Sequence, residues 1–197
     1  MKILIAAATE KELVPFVSGY ISGVQDTMLY GHRITLEYTG IGIACSVLRI
    51  YESVLKHKPD IVIQAGIAGA YPDSGLKVGD TVFVKSEVFA DLGVMHGNGL
   101  KREFRECGRL LNPDEYHGKN VSGNTVATAC SSYHIIENAD VESMEGYGLF
   151  LVCLRNNVKF AEVRTISNIV SEDRSSWNFD LAVKNLSYEL SAFIKNI

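Results

Sequence analysis

Three short strings put chemistry-bearing side chains where a folded chain can aim them at a ligand. The run Val163-Arg164-Thr165-Ile166-Ser167-Asn168-Ile169-Val170 sets an amide where an apolar strand emerges into solvent. Met144-Glu145-Gly146 sets a carboxylate at the start of a helix, and Thr9-Glu10-Lys11-Glu12 sets two more where the first strand turns into the first helix. Open α/β sheets bind ligands at such strand ends. An amide offers a donor and an acceptor to a flat heterocycle, and a carboxylate accepts two hydrogen bonds from a diol, so the set suggests a sugar-and-base pocket. Each residue also has a plainer reading. Acids in a first helical turn are favoured by the helix dipole, and an amide can simply cap a strand end. From the residues alone Glu10 and Glu12 are equivalent, and Glu142 competes with Glu145.

The elements that must hold these residues follow from hydrophobic periodicity and breakers. Ile3 to Ala8 reads as a buried strand feeding a helix that ends near Ser18-Gly19. Thr27 to Tyr30 and Arg33 to Thr39 flank Gly31 as a hairpin. Gly40-Ile41-Gly42 opens a helix over Ile43 to Lys56, with Val47, Leu48, Tyr51, Val54 and Leu55 at helical spacing. Ile61 to Gln64 is a strand that runs into Ala65-Gly66-Ile67-Ala68-Gly69-Ala70, read as a small-residue loop that lets backbone approach a ligand. Strands are expected at Thr81 to Phe89, near Asn120 to Thr128, near Ala139 to Glu142 and at Phe160 to Val170. Helices are expected around Arg102 to Leu111, at Glu145 to Asn156 and from Asn178 to Ile197. This alternation predicts one α/β domain over residues 1–197, in three layers with a central mixed sheet flanked by helices.

Composition narrows the function. A chain of 197 residues buries about 70% of its unfolded surface around one core. With 47% hydrophobic and 21% charged residues and a net charge of -4, it lacks the basic footprint of a nucleic-acid binder, and a small acidic or zwitterionic partner fits better. Cys45, Cys107, Cys130 and Cys153 stand singly and read as reduced core thiols; His96, His117 and His134 have no metal-like spacing. Ile3 to Ala8 is too short for a secretory signal or a membrane span, so the expectation is a cytoplasmic protein without a membrane partner.

Met1-Lys2-Ile3 with Glu10-Lys11-Glu12, Thr39-Gly40-Ile41-Gly42, Ala65 to Gly69, Leu76-Lys77-Val78-Gly79-Asp80, Met144-Glu145-Gly146 and Arg164 to Asn168 occur in order along nearly the whole chain. Any one of them is weak, but the ordered set is specific. Together they resemble the purine nucleoside phosphorylase/uridine phosphorylase superfamily, on its nucleosidase branch. Phe89-Ala90-Asp91-Leu92-Gly93, the Ser-Asn strand end and Glu172-Asp173-Arg174-Ser175-Ser176-Trp177 are most similar to the futalosine hydrolases of menaquinone biosynthesis. Methylthioadenosine/S-adenosylhomocysteine nucleosidases, the near alternative, typically carry Ser-Asp in place of Ser167-Asn168. The resemblance implies a nucleoside phosphorylase-like fold, no cofactor and no metal, and a homo-oligomer in which a neighbour approaches the pocket, around Val88 to Val94.

It also implies roles. Cleaving a ribosyl C–N bond builds positive charge on the sugar and negative charge on the leaving base, so a hydrolase must position water, grip the ribose and stabilise the base. Glu12 is then the water-activating base, Glu145 the holder of the ribose hydroxyls and Met144 a sugar-face contact. Asn168 selects the base, with a 6-oxopurine such as hypoxanthine as the better partner. Ser167 fixes that amide or touches the base. Arg164 holds the water or serves as counter-ion to Glu12 or Glu145. Ile41, Ile67 and Val126 are wall residues, with backbone N–H groups of Gly42 or Ala68 nearby. Arg174 and Trp177 suit a carboxylate-bearing 5′ arm, or else form a surface turn with Trp177 in the core. Phosphorolysis is disfavoured because Glu10 and Glu12 would repel a phosphate dianion, and a protein that only binds nucleosides has no use for Glu12.

Overall fold

Alternation in the first strand already separates two cores. In β1 (Lys2–Ala7), Ile3, Ile5 and Ala7 pack with Leu13, Phe16, Leu186 and Leu190, whereas Leu4 and Ala6 pack with Ile50, Val54, Leu149 and Phe150. Successive side chains of a strand point to opposite faces, so a strand apolar on both needs helices on both. The computed structural model describes residues 1–21, 27–97, 99–101, 108–129, 139–170 and 174–197, with Arg174 described in its backbone alone, and it meets that need. Helices α1 (Glu10–Tyr20) and α4 (Phe179–Asn196) pack on each other over one face; α2 (Ile43–His57) and α3 (Gly146–Asn156) pack over the other.

The strands are β2 (Thr27–Leu29), β3 (His32–Tyr38), β4 (Ile61–Ala70), β5 (Thr81–Phe89), β6 (Val94–His96), β7 (Gly99–Lys101), β8 (Leu110–Leu111), β9 (Asn120–Thr125), β10 (Val141–Ser143) and β11 (Lys159–Ile169). Among the described residues they form a mixed sheet in the order β10-β9-β5-β11-β4-β1-β3-β2, with β8 on β5; β6 and β7 form a separate ribbon. β10 also pairs with the far end of β4, Val141 opposite Ala70 and Glu142 opposite Gly69. The sheet thereby curls back on itself and leaves no open edge beside β4 at this end. β1, β4 and β11 run parallel, so their C-terminal ends lie on one rim.

Several sequence expectations change. Residues 65–70 are not a loop: β4 runs unbroken to Ala70, paired with β11 throughout. Their smallness serves side chains that cross the strand, since a Cβ on Gly66 would lie 2.5 Å from Arg164 Nη1 and 2.8 Å from Glu12 Oε1. Leu110 and Leu111 are strand rather than helix because β5 offers them a ladder; positions 102–107 of the expected helix, together with Cys107, Cys130, His134, Glu172 and Asp173, lie outside the described residues. Cys153 is buried as read, but Cys45 is exposed on α2. α1 continues past Gly19 to Tyr20, and β9 stops at Thr125.

Candidate functional site

The shared rim of β1, β4 and β11 organises the site. β11 is bulged there: Ile166 faces Ala68 and Asn168 faces Gly69, so Ser167 is an extra residue in the ladder. A bulge re-aims side chains, and here it sets Ser167 and Asn168 side by side. The Ser167 hydroxyl lies 2.7 Å from Asn168 Oδ1 and 3.3 Å from Ala68 O, and Asn168 Nδ2 donates to Ile169 O at 3.4 Å. Both residues are buried.

Glu145 is the N-cap of α3 and comes from the other side. Its Oε1 accepts from the Gly42 N–H at 3.0 Å, and its Oε2 lies 3.5 Å from Arg164 Nη1. Gly42 sits at φ +93°, a conformation that L side chains rarely adopt, and this turn carries its N–H onto Glu145.

Glu12 enters from α1. Its Oε2 accepts from the Thr9 N–H at 2.8 Å and the Thr9 hydroxyl at 3.1 Å, the reach-back half of a capping box. Its Oε1 crosses to the Ile67 N–H of β4 at 3.2 Å. The fold separates the two acids that the sequence left equivalent: Glu10 is exposed, Glu12 buried. Burial raises the Glu12 pKa above the ordinary carboxyl value; the Arg164 charge and the N–H groups of Thr9 and Ile67 pull against it, and the Glu145 charge adds to it. Three donors therefore hold a carboxylate that burial makes unusually basic.

A cavity of about 350 Å³ opens over these groups. Glu12, Ile41, Ile67, Met144, Glu145, Ser167, Asn168 and Trp177 all line it. Two sequence-predicted residues stand elsewhere. Arg164 lies beneath the cavity, 1% exposed, donating to Glu162 at 2.8 Å, to Ile67 O at 3.3 Å and to Gln64 at 3.3 Å. Burial alone would lower its pKa, but Glu162 and Glu145 more than reverse this and keep it charged, so the geometry favours a counter-ion over a water ligand. Val126 is not a wall residue; it packs behind Met144 with Ala90. The side chain of Arg174 lies outside the described residues. Trp177 is half-buried on the cavity wall rather than in the core.

Sequence reasoning missed Thr9, Phe179 and, as a wall residue, Glu142, which takes a hydrogen bond from Tyr71 at 3.1 Å. The Thr9-x-x-Glu12 spacing was the available signal for Thr9. Phe179, the first residue of α4, carries none. The assembled site offers a basic carboxylate, a second carboxylate over a buried cation, and an oriented carboxamide around an otherwise largely apolar space. That inventory suits a neutral heterocycle on a polyhydroxylated ring.

No protein-family model matches the chain. Its sequence is 27% identical to the 5′-methylthioadenosine/S-adenosylhomocysteine nucleosidase of Buchnera aphidicola subsp. Acyrthosiphon pisum, over 84% of this chain and 80% of the relative. It is 27% identical to the futalosine hydrolase of Acidothermus cellulolyticus, over 96% of this chain and 88% of the relative. In fold it matches the 5′-methylthioadenosine nucleosidase of Arabidopsis thaliana with a TM-score of 0.85 at 18% identity, over 98% of this chain and 94% of that one. In sequence and in fold alike, the chain is similar to the nucleosidase branch of the purine nucleoside phosphorylase/uridine phosphorylase superfamily, the group that its ordered motifs resemble.

Proposed function

We propose that the chain hydrolyses the N-ribosidic bond of futalosine, releasing hypoxanthine and dehypoxanthine futalosine. The observation that carries this reading is the carboxamide of Asn168 at the rim of β11, with Ser167 donating to its Oδ1. That contact orients Nδ2 as the donor side of the amide, the polarity that suits an oxygen at purine C6. A site built on one hydrogen-bond pattern rejects the wrong partner strongly because it leaves buried polar atoms unpaired.

The rest of the cavity then divides the work. Glu12 orients a water and takes its proton; a pKa raised toward the working pH makes it a better base than an exposed glutamate. Glu145 accepts from the ribose hydroxyls, and its charge favours the cationic sugar as the C–N bond lengthens. Met144 covers the sugar face, and Trp177 with Phe179 forms an aromatic wall for the 5′ arm. Arg164 beneath pairs with Glu145, its Nη1 lying 3.5 Å from Oε2. Hydrolysis is favoured over phosphorolysis because the buried Glu12 carboxylate sits where a phosphate dianion would meet like charge.

The test is base release from futalosine, inosine and methylthioadenosine, each with and without phosphate. Preferred, phosphate-independent release of hypoxanthine from futalosine supports the reading; adenine release from methylthioadenosine at equal or greater kcat/KM overturns it. Cleavage of methylthioadenosine or S-adenosylhomocysteine is the second reading, favoured by the Buchnera relative. The chain is also proposed to be a homo-oligomer. α2 exposes Leu48, Tyr51 and Leu55, and an apolar groove between α2 and α3 runs alongside them. Sedimentation as a monomer at working concentration refutes this.

A further inference from the structure

Two buried carboxyl groups beneath the site have no part in the chemistry above. Glu87 in β5 is fully enclosed, and Glu162 in β11 is 1% exposed. Glu162 Oε1 accepts from Arg164 Nε at 2.8 Å, and Glu87 Oε2 accepts from the Thr125 hydroxyl at 2.7 Å. Thr125 in turn accepts from the Tyr147 N–H at 2.7 Å, which directs its own hydrogen to Glu87. The remaining oxygens, Glu87 Oε1 and Glu162 Oε2, receive no donor from any other group among the described residues. They converge on one spot: a Cβ on Gly146 would lie 2.5 Å from Glu87 Oε1 and 2.7 Å from Glu162 Oε2. Gly123 leaves room on the far side, where a Cβ would collide with Glu87.

Two ionised carboxylates have no hydrogen to share, so leaving both charged strands two acceptors face to face in a dry interior. One proton between them satisfies both. We infer that Glu87 is a positioning residue that carries this proton, donates it to Glu162 and, through Glu162, fixes the guanidinium of Arg164 beneath Glu12 and Glu145. The proton belongs on Glu87 because Glu162 faces a permanent cation at 2.8 Å, whereas Glu87 faces only a hydroxyl. Among the described residues, the charged or titratable groups that act on Glu87 include Glu162 and Arg164 from β11 and Tyr71 after β4. Burial, and then the Glu162 charge, push the Glu87 carboxyl well above the usual range, with Arg164 opposing more weakly. Of the four acids that surround Arg164, one is thus neutral, and the cation is steered by Glu162 rather than drawn wholly toward the cavity.

The experiment compares Glu87→Gln, Glu87→Leu and Glu162→Gln in the intact protein. The activity readout rests on the nucleosidase reading; infrared spectroscopy does not. The wild type at neutral pH should show the carbonyl stretch of a buried neutral carboxylic acid, and Glu87→Gln should abolish it. Glutamine remakes both hydrogen bonds, accepting from Thr125 and donating to Glu162, so kcat should stay within about threefold of wild type. Glu87→Leu, which remakes neither, should lower kcat by about tenfold or more with a smaller change in KM. Glu162→Gln, which withdraws the ionised partner of Arg164, should lower kcat more than Glu87→Gln does. A wild type whose neutral-acid band is missing, or survives in Glu87→Gln, overturns the inference, as does a Glu87→Gln variant as impaired as Glu87→Leu. If the wild type cleaves no nucleoside, the proposed function fails, while the infrared result still decides where the proton sits.

Discussion

Gly146→Ala is the substitution on which local and tertiary reasoning disagree most. Gly146 opens α3, where alanine is ordinarily the better residue by about 0.5–1 kcal/mol. The structure predicts the opposite sign. An added Cβ would stand 2.5 Å from Glu87 Oε1 and 2.6 and 2.7 Å from the two oxygens of Glu162, all well inside van der Waals contact. These are side-chain tips, but they are not free to swing, since Arg164 holds one at 2.8 Å and Thr125 holds the other carboxyl at 2.7 Å. Overpacking costs about 2 kcal/mol and parting the two acids about 1–2 more, less about 1 for helix propensity, leaving a net loss of about 2–3 kcal/mol. For a chain of this length that lowers Tm by about 4–12 °C. The control is Gly19→Ala near the end of α1, where a Cβ meets nothing within 4 Å and a small gain in stability is expected. Thermal unfolding followed by circular dichroism checks both. A Gly146→Ala protein that melts at or above wild type would show that the carboxyl pair yields easily, and the packing argument would be wrong.

Four other outcomes are expected. Glu12→Gln should cut kcat by about 10²–10⁴-fold while the fold survives by circular dichroism, and the exposed Glu10→Gln should be near wild type; the reverse ranking moves the base to Glu10. Asn168→Asp should shift the kcat/KM ratio of 6-amino over 6-oxo substrates upward by about 5- to 150-fold, and an unchanged ratio places base choice in other residues. Because the folded-state pKa of Glu12 is raised, its ionisation opposes folding: its stabilising contribution is present below the unfolded-state pKa and is lost as pH rises through the folded one. Urea midpoints of wild type should therefore fall relative to Glu12→Gln as pH climbs above the ordinary glutamate range, while kcat/KM climbs over the same window; a pH-independent difference between the two proteins contradicts it. Trp177→Ala should raise KM for futalosine more than for inosine, and equal effects would remove Trp177 from the 5′ arm.

Periodicity was enough to place most of the framework, because strands buried on both faces and helices with one apolar stripe leave strong local signals. It failed where a residue type answers to a distant partner. The small residues of β4 look like loop material until Arg164 and Glu12 are seen to need the space. Glu12 was separable from Glu10 in principle, since it shares the buried stripe of α1 with Leu13 and Phe16. Glu162 and Arg164, two apart in an apolar strand, point to the same face, so a buried ion pair was legible there; Glu87 lies on another strand and no sequence distance announces it. Arg164 looked like a pocket residue because it borders the Ser-Asn motif, yet strand alternation turns it under the floor. Phe179 and Glu142 reach the cavity through the placement of α4 and β10, which only the closed sheet determines.

Gly66 has a consequence for how the two halves of the molecule influence each other. Glu12 belongs to the layer of α1 and α4, and the Arg164 side chain to that of α2 and α3, with a sheet between them that would ordinarily insulate one from the other. At Gly66 the guanidinium and the carboxylate meet on one side of the strand, 2.5 and 2.8 Å from where a Cβ would stand, so the bare backbone lets the two layers touch at the rim of the sheet. A change of charge or tilt on the far layer is then felt at Glu12 as a change of field with no backbone motion, and any side chain at position 66 would intrude on that contact.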